Sequence, residues 1–252
     1  MDSSDLARFA KNVVRPLLGS DYFVYARRDL VRMRGPFFQG VLFAKKRSGW
    51  LVVIPVFYVL GASQSDDVLF QTMSLPVSGV DEYGIWRWSP DVCLGEVLAE
   101  GVVAQIERES PLSFFQSLED ERIDAALSYF SSRVDHWAPS LSRAYFNMCR
   151  GRAGAHGELL AARKKFIELS RIGRGGSPTD FESGLLSRIE TLLLRFEQTN
   201  CIELCRRDVE EHANRLSLGD VKWPVEWPES LPVEAWKEGP RLSWTDRLFG
   251  RF

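Results

Sequence analysis

The residues best able to hold a metal or start a nucleophilic reaction are four cysteines and three histidines. Cys201, Cys205 and His212 stand at i, i+4 and i+11 of a helical pattern. At ~100° per residue, eleven steps return to within about 20° of the start, so all three share a face. The rise of ~1.5 Å per residue, however, sets Cys201 and His212 about 16 Å apart, too far for one ion. At most Cys201 and Cys205 give two ligands to a site completed by Cys149, and a buried cysteine serves equally well as a small apolar side chain. No metal ligand set is therefore assigned. His136, His156 and His212 lie in no G-x-S-x-G or Cys-His signature. Adjacent carboxylates such as Glu119-Asp120-Glu121 suit the first turn of a helix. Gly173-Arg174-Gly175-Gly176-Ser177 lacks the Gly-Lys-Ser/Thr of a phosphate loop and reads as a flexible connector. No catalytic residue and no cofactor follows from these patterns.

Binding chemistry is better represented. Trp223, Trp227, Trp236 and Trp244 fall in the last thirty residues, interleaved with Pro224, Pro228, Pro232 and Pro240. Prolines at this spacing preclude a regular helix. The expected form is an extended strap whose Trp side chains anchor it to the chain's own helices or to a partner. Two acidic loops, Asp66-Asp67 and Asp81-Glu82, offer a partner negative charge. An alternative partner is nucleic acid, held by Arg27, Arg28, Arg32, Lys45 and Lys46 with Tyr22, Phe23 and Tyr25 interleaved on early strands.

The elements that must position these residues begin with an amphipathic helix. Leu6, Phe9, Ala10, Val13, Val14 and Leu17 form one apolar stripe, ended by Gly19. Strands are predicted at 22–25, 37–43, 50–60, 68–75 and 85–88. The nearly all-apolar 50–60 run implies a central strand covered on both faces, with Pro55 at a bulge or edge. Helical periodicity then takes over, starting at Leu94, Pro111, Ile123, Pro139 and Leu159. A long helix opens at Thr179 and Glu182, which are spaced as a capping box. The pattern breaks near Asn200 and resumes at Ile202. The expected fold is α+β: a helix and antiparallel sheet over 1–90, a helical region over 91–220 and an extended Trp/Pro-rich tail over 221–252.

Composition agrees with a globular chain: 45% hydrophobic and 26% charged over 252 residues. The net charge of -2 is a cancellation. Residues 1–60 carry 10 basic and 4 acidic side chains, 61–140 carry 4 and 14, 141–180 carry 8 and 3, and 181–252 carry 10 and 13. No stretch approaches the ~18 apolar residues of a membrane helix. An acidic, polar start and cysteines without a disulfide framework predict a cytoplasmic protein.

Residues 5–170 resemble a group of uncharacterised bacterial α+β domains found beside toxin or defence modules. The resemblance rests on the Leu6-to-Leu17 helix, Phe37-Phe38-Gln39-Gly40-Val41-Leu42-Phe43, the 50–60 strand and the segment Pro111-Leu112-Ser113-Phe114-Phe115-Gln116-Ser117-Leu118. It carries over no functional residue. It implies an immunity or accessory protein, so the expected function is non-enzymatic binding of another protein, such as a toxin.

Overall fold

The computed structural model describes residues 3–45, 51–62, 86–88, 93–109, 118–133 and 136–237. They form two compact units, one from the described parts of 1–60, 65–126 and 215–222, the other from those of 61–64, 127–214 and 223–252.

The first unit opens with α1 (Ser3–Phe9), a π-helical turn (Ala10–Val14) and α2 (Arg15–Leu18). One continuous helix was expected here, and Pro16 accounts for the difference. Its ring would press on the carbonyl four residues back and it donates no hydrogen bond, so the helix widens by one residue just before it. The stripe holds at Leu6, Phe9, Ala10 and Val14, which are buried, but not at its end: Val13 is half-buried, Leu17 is 44% exposed, and Leu18 is buried in its place because the π-helical turn shifts the phase by one residue. Gly19 ends the helix at a φ of 120°.

Five antiparallel strands follow in the order of the chain: β1 (Phe23–Tyr25), β2 (Asp29–Arg34), β3 (Phe37–Lys45), β4 (Leu51–Val59) and β5 (Trp86–Trp88). β3 and β4 pair along their whole lengths, from Phe37 opposite Val59 to Lys45 opposite Leu51. Leu51, Val52, Val53, Val56, Tyr58 and Val59 are buried, so β4 is covered on both faces, as its apolar run predicts. Pro55 stays in register opposite Val41, without a bulge. β5 pairs only with Leu51 to Val53, so Pro55 lies where β3 is the strand's one neighbour among the described residues. Phe9 meets Phe43 edge to face at 6.2 Å, packing the N-terminal helix on the sheet.

β2 escaped the sequence patterns because Asp29, Arg32 and Arg34 break its apolar run. Its charges are paired internally. Asp29 accepts the Phe43 N–H at 2.9 Å, and Arg34 reaches Asp120 at 2.8 Å. That last bond joins the basic N-terminal segment to the acidic one that follows. α3 (Glu96–Glu109) belongs to this unit, as does the start of α4 (Asp120–Arg133).

The second unit holds α5 (Ala138–Cys149), α6 (Ala155–Leu169), α7 (Asp180–Arg195), α8 (Cys201–Arg215) and a short α9 (Val233–Lys237). The break between α7 and α8 falls at 196–200, as expected. The predicted strand at 68–75 and the helix opening at Pro111 lie outside the described residues.

Candidate functional site

An open cleft lies in the second unit, where α5 begins, α6 ends and α7 begins. It encloses about 480 Å³, within the size range of ligand sites. Its wall is aromatic. Trp137 stands 5.4 Å from Phe166 in an edge-to-face contact, 6.1 Å from Phe181 and 4.9 Å from His136. Phe166 is buried and anchors the wall, whereas Phe181 is 56% exposed. Pro139 in the first turn of α5 fixes where that helix starts, and so where Trp137 stands.

Arg174 reaches the rim from the connector between α6 and α7. That connector is built rather than slack. Arg174 N–H and Gly176 N–H donate to the Arg171 carbonyl, and Gly175 N–H donates to that of Ile172. A Cβ at Gly173 would fall 2.2 Å from the Ile167 carbonyl oxygen, so only glycine fits there. Glu182 ties the base of the loop. Its carboxylate accepts the N–H groups of Arg171 at 2.9 Å and Thr179 at 2.7 Å, and the Thr179 hydroxyl at 3.0 Å. The Glu182 N–H donates back to Thr179 Oγ1, completing the predicted capping box. The N–H bonds from Thr179 and Arg171 hold the Glu182 carboxyl below its ordinary pKa.

The hydroxyl groups of the cleft are already hydrogen-bonded within the protein. Ser170 Oγ donates to the Ile167 carbonyl, and Thr179 Oγ1 is spent on the cap. His136 Nδ1 accepts the Ala138 N–H at 3.2 Å. Arg174 makes no ion pair among the described residues and keeps its guanidinium donors for an incoming group.

A second cluster, largely buried, holds the same unit together. Asp208 on α8 accepts Arg195 at 2.6 and 3.2 Å and Arg188 at 2.6 Å, both from α7. Burial raises the Asp208 carboxyl, but the bonds from Arg195 and Arg188 outweigh it and leave the pKa low. Arg188 also donates to the Gly61 carbonyl, and His212 Nδ1 accepts the Gly61 N–H at 3.0 Å. Cys149, Cys201 and Cys205 do come together here. Cys205 accepts hydrogen bonds from both other thiols and lies 4.0 Å from Arg195. Those thiol donors, followed by Arg195, draw its pKa down. Burial pushes Cys149 up, and the bond to Cys205 does so for Cys201. His212 stands away from this thiol group, on Gly61. Among the described residues, no group of three or more His, Cys, Asp or Glu is arranged to hold a metal.

The residues expected to meet a partner are placed as follows. Trp227 and Trp236 are buried against the chain itself, edge to face on Phe146 at 5.5 Å and on Phe196 at 5.0 Å. Their rings are thus taken up within the second unit, and the strap is an internal brace. Trp223 is half-buried, donates to Glu210 at 2.8 Å and lies under the Arg206 guanidinium. Trp244, Asp66, Asp67, Asp81, Glu82 and Lys46 lie outside the described residues. Of the basic set, Arg27 is exposed in the β1–β2 turn at a φ of 74°, Arg28 is half-buried and Lys45 ends β3. Arg32 departs from its expected place on an open basic face. It is 3% exposed, bonded to Gln39 at 2.6 Å and Asp21 at 2.9 Å, with its guanidinium 4.8 Å from the Tyr22 ring. A guanidinium so enclosed needs such partners to offset its lost hydration, so Arg32 is spoken for by the fold.

No family model, no curated protein and no solved structure matches the chain.

Proposed function

We propose that the protein is a non-enzymatic binding protein that docks another protein on the aromatic cleft of its second unit. One observation carries this reading. A wall of four rings ends in Phe181, more than half exposed, while both hydroxyls of the cleft are committed to backbone or cap bonds. An exposed phenylalanine beside an arginine that has no ion pair among the described residues belongs to the side-chain classes enriched in protein interfaces. In the form implied by the resemblance of residues 5–170, the partner is a toxin and this chain its immunity or accessory subunit in the cytoplasm. Four unpaired cysteines, with Cys93 exposed, support a reducing compartment.

The test is a photoreactive phenylalanine analogue placed at 181 and, as a control, at Val225, which is fully exposed but far from the cleft residues in sequence. The expected result is one cross-linked protein from the native cell at 181 and none at 225. That protein, once purified, forms a stoichiometric complex with the wild-type chain, and its expression alone is toxic to cells that lack this chain. Equal cross-linking at both positions contradicts the reading. A harmless partner removes the immunity role and leaves the binding role intact.

A further inference from the structure

Resting on that reading, we infer that the cleft recognises an acidic peptide segment bearing an aromatic anchor, whose ring lies on the Trp137–Phe181 wall and whose carboxylate meets Arg174. The inference comes from which charges in the neighbourhood are already matched. Residues 141–180 carry 8 basic and 3 acidic side chains. Arg143 lies 3.4 Å from Glu158, Lys164 lies 3.8 Å from Glu168, and Arg163 lies 2.6 Å from Glu190. Three helical cations are thus paired, along α6 and with α5 and α7, and Lys165 on α6 donates to the Ser131 carbonyl at 3.4 Å. Arg174 is exposed on the connector, with no ion pair among the described residues.

The one carboxylate lining the cleft does not balance Arg174. Both Glu182 oxygens already accept donors, Oε1 from Arg171 and Oε2 from Thr179. An incoming carboxylate therefore finds a guanidinium with no ion pair among the described residues and a loop that is already ordered. The turn carrying Arg174 is held by three backbone hydrogen bonds and the Glu182 clamp, so little loop entropy is lost when the ion pair forms. The apolar half of the site is equally preformed. Trp137 is fixed from behind by buried Phe166, and its contact with Phe181 leaves a continuous ring surface beside the cation. An acidic residue next to an aromatic one matches both halves at once. A basic peptide meets Arg174 with like charge, and a purely acidic one leaves the wall wet.

The probe is a fluorescein-labelled Asp-Asp-Phe-Asp-Asp peptide titrated with the full chain by fluorescence polarisation. Lys-Lys-Phe-Lys-Lys and Asp-Asp-Ala-Asp-Asp peptides serve as comparisons. The expected result is saturable binding of the first only, weakened about tenfold by Arg174→Glu and about tenfold by Phe181→Ala, with added salt eroding the charge contribution alone. Both substituted side chains are exposed, and unchanged circular dichroism confirms that each variant is folded. Equal binding of the basic peptide, or no effect of Arg174→Glu, overturns the inference. So does preferential binding of a nucleoside monophosphate, which would assign the same ring wall and cation to a nucleotide. If no peptide binds but Phe181→Ala still abolishes the complex with the cross-linked protein, the acidic-peptide inference fails and the docking site stands. If Phe181→Ala leaves that complex intact, the docking site fails as well.

Discussion

Replacing Asp29 by asparagine removes a charge from inside the first unit while keeping an oxygen for the Phe43 N–H. Asp29 is only 7% exposed. Burial raises its carboxyl from 3.8 to about 6, against the pull of the Phe43 N–H and the Arg28 charge. Between those two values the folded chain holds a proton that the unfolded chain has released. Stability therefore falls as pH rises through this window and levels off above about pH 6. At ~1.4 kcal/mol for each tenfold change in affinity for the proton, the fall is about 3 kcal/mol. The asparagine variant has no such titration. Urea denaturation of both proteins from pH 4 to pH 7.5 isolates the effect, because every other ionisable group cancels in the difference between the two curves. The variant is expected to gain about 2.4 kcal/mol on the wild type across that range, since the unfolded carboxyl is already more than half ionised at pH 4. A difference that stays constant with pH to within about 0.5 kcal/mol would show that the Asp29 carboxyl is ordinary and the reasoning from its burial wrong.

Asp208→Ala leaves Arg188 and Arg195 buried without their counter-ion, and a loss of about 3–5 kcal/mol is expected in urea denaturation. Because the folded Asp208 pKa is lowered, the stability it confers is present above the ordinary carboxyl range and disappears as pH falls through the lowered value. The variant should accordingly lack the wild type's steep acid limb below about pH 4. Trp236→Ala empties a fully buried site beside Phe196 and should lose about 3–5 kcal/mol. Amide exchange is expected to speed up throughout the strap from Trp223, while the first unit's strands keep their protection.

Local periodicity made most of the architecture legible before any coordinates. The α6 and α7 stripes, the capping box at Thr179 and Glu182, and the doubly covered β4 all follow from apolar spacing and cap chemistry. β2 was hidden because its charged side chains, Asp29 and Arg32, are hydrogen-bonded to residues at 43, 21 and 39, and no short window contains both members of a pair. The same distance in sequence hid the cleft. Trp137, Phe166 and Phe181 sit on three different elements, and nothing in their spacing brings their rings within about 6 Å of one another. The connector looked slack because its order resides in backbone bonds and in a Glu182 carboxylate reaching back to Arg171. The Trp strap shows the reverse case. Its residues were conspicuous, yet two of the three described indoles turn inward, since a large apolar ring is buried as readily by its own chain as by a partner.

The account's central claim is that the aromatic cleft is the docking surface. The most direct measurement is the affinity of the protein cross-linked at 181 for the wild type, Phe181→Ala and Val225→Ala, by isothermal titration calorimetry. The account predicts a Kd raised at least about tenfold by Phe181→Ala and unchanged by Val225→Ala. Equal affinity for all three chains would contradict it.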